Sequence, residues 1–358
     1  MITISLCMIV KNEERTLPRC LTSAQGLADE VIVVDTGSTD GTVAAAEALG
    51  AKVFHFPWRD DFAAARNYAF DQATMDYCLW LDADDVIEPE DRKKFLELKA
   101  TLPPDTDVVM LPYHAGRDEA GRPTLTYERE RLIRRAAGLR WRGAVHEAIA
   151  PAGTIHHGDA AVTHRKEGPG DSGRNLRILE GLRARRPLEP REQYYYGREL
   201  AFLGREEEAV QALRAFLAGG RGWKPDCIQA SMDLADCLGR LGREDERLPA
   251  LTGALAFGPP TPELCCALGS VFMDRQQWET AAFWYHLALT QPAGSGFHYP
   301  DCRGYIPLLQ LCVCSWNLGA REASEAFNDA ALALKPECPV CRQNREFFNR
   351  WHQAHAES

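Results

Sequence analysis

Leu79-Trp80-Leu81-Asp82-Ala83-Asp84-Asp85 is an apolar run that ends in three acids, and its reading decides the fold. A second run of the same kind precedes it: Val31-Ile32-Val33-Val34-Asp35-Thr36-Gly37-Ser38. Side chains of a strand alternate with period two, which places Asp82 and Asp84 on one side of the strand end. Hard oxygen ligands at that spacing hold Mg²⁺ or Mn²⁺ against a diphosphate. No Walker loop and no Gly-x-Gly-x-x-Gly motif occurs, so the phosphate grip is expected to come from the metal. The two runs together read as a sugar-nucleotide and metal site.

Outward from these runs, the first half alternates apolar strands with amphipathic helices, the pattern of an α/β fold with a largely parallel sheet. Strands are expected near Ile4–Val10, Val31–Asp35, Lys52–Phe56, Tyr77–Leu81 and Val108–Pro112, and helices over Glu13–Ala24, Thr42–Leu49 and Asp61–Thr74. In the third helix Phe62, Ala65, Ala69 and Ala73 share a face, and Arg66 is expected opposite Phe62 and Ala69. Ligands of such sheets sit beyond the carboxyl ends of the strands, where Asp35, Asp82 and Asp84 all fall. Asp85 is expected to cap a turn or face solvent.

After about residue 171 the texture changes to helix pairs. Leu203-Gly204-Arg205, Leu241-Gly242-Arg243 and Leu318-Gly319 mark turns, Ala-rich second helices follow, and the scheme recurs at about 34 to 44 residues. These features resemble tetratricopeptide (TPR) repeats. Two domains are therefore expected, an α/β unit over 1–171 and an all-α, TPR-like unit over 172–358. Repeat hairpins leave some of Tyr194, Tyr195, Tyr196, Trp223, Trp278, Trp284, Trp316 and Trp351 available to a partner, while core packing is the expectation for most of them.

A net charge of -10, from 41 basic and 51 acidic residues, gives no electrostatic reason to expect nucleic acid as a partner. No apolar run approaches the roughly 20 residues that span a bilayer, and no signal-peptide pattern opens the chain, so a cytoplasmic protein without a transmembrane segment is expected. The 12 cysteines then read as reduced core residues. Cys338-Pro339-Val340-Cys341 has redox or zinc-knuckle spacing, and His352 and His355 would complete a zinc ligand set, one residue short of the usual histidine spacing.

Four ordered motifs carry a family resemblance: Ser5-Leu6-Cys7-Met8-Ile9-Val10-Lys11-Asn12-Glu13-Glu14, Asp35-Thr36-Gly37-Ser38-Thr39-Asp40-Gly41-Thr42, Ala65-Arg66-Asn67 and Asp82-Ala83-Asp84. The first half resembles the inverting family 2 glycosyltransferases of GT-A fold. It is most similar to the subgroup with C-terminal TPR-like repeats, which includes lipopolysaccharide core glucosyltransferase-like proteins and the sublancin peptide S-glycosyltransferase. The resemblance implies a metal-dependent transfer of a hexose from a nucleoside diphosphate sugar, UDP-glucose or UDP-GlcNAc, with Mn²⁺ or Mg²⁺ as cofactor. It assigns Asp35 to the nucleotide, where a strand-end carboxylate accepts from a uracil imide; the alternative is a turn-stabilising acid, a role that suits Asp40 better. Val10, Asn12 and Glu13 would form the other wall, with Gly37, Ser38, Ala83 and Trp141 also lining it.

Arg66 is suited to bridge a diphosphate, or else to pair at the surface with Asp60 or Asp61. Asp84 leads the metal ligands, with Asp82 on the ribose or a metal-bound water. His164, in Ala161-Val162-Thr163-His164-Arg165, matches the family's metal-closing histidine. Trp141-Arg142-Gly143-Ala144-Val145-His146-Glu147 occupies the place of the family's second acidic motif but reads His-Glu where Glu-Asp is common. Glu147 is the implied base and His146 its orienter or rival.

The acceptor implied is a peptide or protein side chain, Cys or Ser; a lipopolysaccharide, polysaccharide or lipid is the alternative. The helical half would hold that acceptor or pair two subunits into a homodimer. A non-catalytic TPR-type scaffold is the rival of another class, and intact Asp82, Asp84 and Arg66 speak against it. A nucleotidyltransferase lacks its basic, Gly-rich phosphate loop here.

Overall fold

A computed structural model of the chain describes residues 1–165, 167, 171, 173–292 and 296–355. They fall into two compact units, Met1–Leu188 and Glu189–Ser358. The boundary lies later than the expected 171/172, where Ser172 is outside the described residues, because a further helix groups with the first unit.

The first unit is built on a nine-stranded sheet. Its parallel part comprises β1 (Ile4–Val10), β2 (Glu30–Asp35), β3 (Lys52–His55) and β4 (Tyr77–Trp80), in the order β3-β2-β1-β4. These strands read as continuous apolar runs because successive side chains enter cores on opposite faces. Leu6, Met8, Val33 and Leu79 join one core, while Cys7, Ile32, Val34, Cys78 and Trp80 join the other. The boundaries of these four strands lie within a residue of expectation, the fifth expected strand, Val108–Pro112, runs on to Arg117, and the helices α1 (Leu17–Ser23), α2 (Thr42–Ala48) and α3 (Phe62–Asp71) are shorter than expected. Helix α1 starts late because the chain before it binds the loop after β2: the Glu13 amide donates to Thr42 Oγ1 at 2.7 Å and the Asn12 amide to Ser38 Oγ at 2.9 Å.

Beyond β4 come β5 (Asp85–Val86), α4 (Pro89–Thr101), β6 (Val108–Arg117), β7 (Pro123–Arg134), β8 (Trp141–Arg142), β9 (Ala148–Ile149), β10 (Ile155–His157), β11 (Val162–His164) and α5 (Arg174–Arg183). The sheet continues β4-β7-β6-β11-β5, with β7 antiparallel to both of its neighbours and β10 beside β6. Strands β8 and β9 form a separate small hairpin.

Two expectations are corrected here. Strand β4 stops at Trp80, and Asp82 to Asp85 form a turn closed by the Asp85 amide donating to the Asp82 carbonyl at 3.0 Å. Period-two alternation therefore does not govern Asp82 and Asp84. Arg66 is not opposite Phe62 and Ala69; positions four and three apart stack on one helix face, and Arg66 is buried beside Ala65 and Ala69.

The second unit is a series of helical hairpins: α6 (Pro190–Phe202) with α7 (Glu206–Ala218), α8 (Lys224–Arg240) with α9 (Glu244–Gly253), α10 (Pro262–Asp274) with α11 (Trp278–Thr290), and α12 (Tyr305–Asn317) with α13 (Arg321–Leu334). A last helix, α14 (Pro339–His355), follows. Each hairpin turns through one residue of positive φ, namely Gly204, Gly242, Gln276 and Gly319. Counted from that residue, small side chains recur where helices touch. Gly197, Ala235, Gly269 and Cys312 stand seven before it, and Ala254, Ala288 and Ala331 stand twelve after it in the last three hairpins. This is a TPR-like arrangement, in which each pair buries its face against the next.

Tyr194, Tyr195 and Tyr196 are buried, whereas Trp223 is 56% exposed. The zinc set is not assembled. At 1.5 Å of rise per residue, Cys341 and His352 of α14 are about 16 Å apart, too far for one ion. His352 pairs instead with Glu325, and His355 stacks on Trp351.

Candidate active site

The chain runs β1, β2, β3 to one side of the sheet and then returns to place β4 on the other side of β1. The crevice at such a reversal is where α/β sheets bind ligands. Val10, Asp35 and the turn after Trp80 stand at its rim, with Asp35 about 14 Å from Trp80, since two strand spacings and three residues of rise separate them.

One wall is preorganised by backbone. The Asp35 carboxylate accepts from the amides of Gly37 at 3.2 Å and Ser38 at 3.0 Å. Burial pushes this carboxyl up, but the Ser38 and Gly37 donors and His55 outweigh it and hold it below the usual carboxylate range. The Val10 carbonyl accepts from the Thr36 amide at 2.9 Å, and Asn12 Oδ1 from the Thr39 amide at 2.8 Å. Asn12 adopts φ 57°, a left-handed conformation that asparagine tolerates. Burial raises the Glu13 carboxyl above its ordinary value; Asp84, Asp82 and Asp40 add to this and Thr16 opposes it, so the β1 loop shares an electrostatic neighbourhood with the acidic turn.

The other wall is a charge network around Trp80. The guanidinium carbons of Arg66, Arg129 and Arg131 lie 4.8, 4.7 and 3.8 Å from its ring. Arg66 is buried and forks between two carboxylates, with Nε on Glu147 at 2.5 Å and Nη2 on Asp82 at 2.6 Å. Its Nη1 makes no hydrogen bond. Arg66 thus orients two acids far apart in the sequence, and the pairing with Asp60 or Asp61 is absent. Trp141, buried 4.9 Å from the same guanidinium, forms part of the floor. Asn67 clamps its backbone, donating to the Trp141 carbonyl and accepting from its amide, both at 3.0 Å.

Glu147 and His146 lie in the loop between β8 and β9, docked where the Phe62 amide donates to the Ala144 carbonyl at 2.8 Å. His146 has φ 50°, a conformation that costs a non-glycine residue of order 1–3 kcal/mol and clusters at functional loops.

Asp85 departs from expectation in its surroundings: it holds the acidic turn, as a capping acid does, but it is enclosed and does not face water. It is fully buried, accepting from Arg131 Nη1 at 3.0 Å, Tyr113 Oη at 2.9 Å and the Asp82 amide at 3.0 Å. Arg131 is itself fully buried. Burial pushes the Asp85 carboxyl up, with Arg131 pulling the other way. Tyr113, Arg129 and Arg131 were not singled out from the sequence. Their signal was faint, an arginine-rich stretch running into the apolar Leu132-Ile133.

Asp84, Asp85 and His164 bring donor atoms within 4.8 Å of one another, the single such cluster of three or more among the described residues. His164 Nδ1 faces Asp84 Oδ1 at 3.4 Å and Asp85 Oδ1 at 3.9 Å and makes no hydrogen bond. Contact with Asp84 raises the imidazole above its ordinary range, and burial opposes this. A shielded nitrogen without a hydrogen-bond partner, set between two carboxylates, fits a divalent cation of the Mg²⁺ or Mn²⁺ type. Asp82 lies outside the cluster, on Arg66.

Residues 5–158 match the model of the family described as Glycosyl transferase family 2. The chain is 36% identical over 220 residues to a TPR repeat-containing protein of Synechococcus elongatus, across 61% of this chain and 49% of that protein. It is 28% identical over 227 residues to the SPbeta prophage-derived glycosyltransferase SunS of Bacillus subtilis, across 59% and 52% of the two. The chain thus spans about half the length of these curated relatives. A solved tetratricopeptide repeat protein from Parabacteroides merdae is 16% identical with a TM-score of 0.42, across 52% of this chain and 70% of that one. No described helix is long and apolar enough to cross a membrane. The matched stretch runs from β1 through β10 and holds the acids of both walls, so residues 5–158 carry a domain of the glycosyl transferase family 2 type.

Proposed function

We propose that the chain is a metal-dependent, inverting glycosyltransferase that moves a hexose from a UDP-linked sugar to a Cys or Ser side chain of a peptide or protein. Supporting this reading are Asp35 at the carboxyl end of β2, the Asp84–His164 cluster just after β4, and Glu147 joined to Asp82 through Arg66. Asp35, held ionised by its backbone donors, accepts from the uracil imide, while Val10, Asn12, Glu13, Gly37 and Ser38 shape the nucleoside wall. Asp84 and His164, backed by Asp85, hold Mn²⁺ or Mg²⁺, and that ion supplies compensation for the charge developing on the leaving diphosphate. Ala83 and Asp82 flank the sugar side. Glu147, aimed by Arg66, takes the acceptor's proton as the new bond to the anomeric carbon forms; His146 is the rival for that role. The helical unit, a run of stacked hairpins, supports a protein-like acceptor or a homodimer, and the cytoplasm is the proposed compartment.

A thermal-shift series with UDP-, GDP- and dTDP-hexoses, with and without Mn²⁺, tests the donor. A ligand at 100 times its Kd adds about 2.7 kcal/mol of stability, so the UDP sugar with Mn²⁺ is expected to shift the melting of wild type and not of Asp84→Ala. No shift with any sugar nucleotide, or undiminished turnover in EDTA, would remove the reading. Glu147→Gln is expected to keep donor binding and to lower transfer by roughly 10²- to 10⁴-fold. Transfer to a lipid-linked glycan and not to peptide would move the acceptor class.

A further inference from the structure

The pair Cys338-Pro339-Val340-Cys341 takes no part in the chemistry above. Cys338 directly precedes α14, and Cys341 lies in that helix's first turn. The Cys338 sulfur accepts from the Cys341 amide at 3.3 Å and lies 3.0 Å from the Tyr305 hydroxyl. Both donors, and the positive end of the helix, favour a thiolate at Cys338. Burial works against that thiolate, yet the hydroxyl and the helix-start donors outweigh it and leave the Cys338 thiol below its ordinary range. Cys341 is the opposite: it has no exposed surface, and burial beside Cys338 pushes its thiol up to about 12. Burial likewise raises the thiols of Cys20, Cys265 and Cys314.

We propose that Cys338 and Cys341 form a redox-active dithiol that exchanges with low-molecular-weight disulfides. Cys338 lies just before α14 and Cys341 in its first turn, and the Cys341 amide 3.3 Å from the Cys338 sulfur brings the two residues to neighbouring positions at the helix start, where a disulfide closes by local side-chain rotation. Cys338 is only 6% exposed, and the exposed Pro339 and Val340 beside it mark the side from which a small disulfide would reach its sulfur. The Cys338 thiolate attacks one sulfur of RSSR, forming the protein–SR bond and expelling RS⁻. Cys341 then gives its proton to that RS⁻ and attacks Cys338, and the second RS⁻ leaves to take up a proton from water. Two protein thiols become one disulfide and RSSR becomes two RSH. The ring closed is too short to add much chain-entropy stabilisation, which fits a reversible device better than a structural one.

The test uses the full chain incubated with oxidised glutathione, quenched by alkylation and mapped by peptide mass. The expected result is a Cys338–Cys341 disulfide formed before any other pair. With native protein and iodoacetamide, Cys338 is expected to react at least roughly tenfold faster than the other cysteines, and Tyr305→Phe to slow it. Cys341→Ser is expected to trap glutathione on Cys338, and Cys338→Ser to trap none. A different pair oxidising first, equal alkylation of Cys338 and the others, or an adduct in Cys341→Ser without a disulfide in wild type would each overturn the proposal. None of these readouts depends on glycosyl transfer.

Discussion

The two units bury different things. The first carries charge into its interior, with Arg131 and Asp85 fully enclosed and Arg66, Glu130 and Glu30 nearly so. The second buries small residues at helix crossings and, among its described residues, encloses carboxylates (Glu192, Glu199, Asp226 and Glu263) but no arginine or lysine, keeping ion pairs such as Arg205–Glu208 and Arg214–Glu246 near its surface. A buried pair is costly to desolvate and close to neutral in net stability, so enclosed charges are better explained by what they position than by what they stabilise. The helical hairpins are held mainly by packing and turn chemistry that follow the same repeat.

Breaking the enclosed charge should have the largest effect. Asp85→Ala strands Arg131 without a countercharge and is expected to destabilise the first unit by about 3–5 kcal/mol. Asp85→Leu combined with Arg131→Met should recover most of that loss, as read from the first unit's urea transition. A small loss in the single variant would mean that water enters the network.

Glu30 sharpens the same point through pH. Its carboxylate accepts from Ser5, Lys52 and Thr74. Burial pushes the group up, but those donors win and bring it down to about 2 from an ordinary 4.5. A depressed folded-state value means that its contribution is complete above about 4.5 and is lost as pH falls toward about 2. The urea midpoint of the first unit should fall across that window, and less steeply in Glu30→Gln. Equal slopes would exclude Glu30 as a source.

For the second unit the expected effects are steric and smaller. A methyl on Gly269 would lie 2.8–3.0 Å from the Tyr285 ring, so Gly269→Ala should cost about 1–3 kcal/mol by prying α10 from α11. Gln276 occupies at φ 57° the turn position that glycine holds in the other three hairpins. Gln276→Gly should therefore raise the helical unit's melting point, with a gain of about 1 kcal/mol set against glycine's unfolded-state entropy.

Much of this contrast was legible in the residues. Runs such as Val31–Val34 and Leu79–Leu81 announced parallel strands because nothing polar interrupts them, and the Leu-Gly-Arg turns announced hairpins because glycine relieves a left-handed residue. Part of the arrangement was legible: Asp84 and His164 do meet, and Glu147 shares the Arg66 guanidinium with Asp82. What stayed hidden was pairing at a distance. Asp85 looked solvated because its partners Tyr113 and Arg131 lie on β6 and β7, and nothing local in Tyr127-Glu128-Arg129-Glu130-Arg131 marks which of its charges the folded sheet encloses. The edge of β4 misled for a local reason, since a strand ending at Trp80 hands Asp82 and Asp84 to a turn, where alternation has no force.

The sharing of one guanidinium by Asp82 and Glu147 also has a bearing on biosynthesis. As the chain leaves the ribosome, Asp35, Asp82, Asp84 and Asp85 emerge well before Arg131, Glu147 and His164. A nascent first unit therefore carries an acidic cluster still waiting for most of its counterparts, with Arg66 alone among the three arginines already out. Its charge balance closes when β7, the β8–β9 loop and finally β11 arrive, so the crevice is among the last parts of this unit to mature.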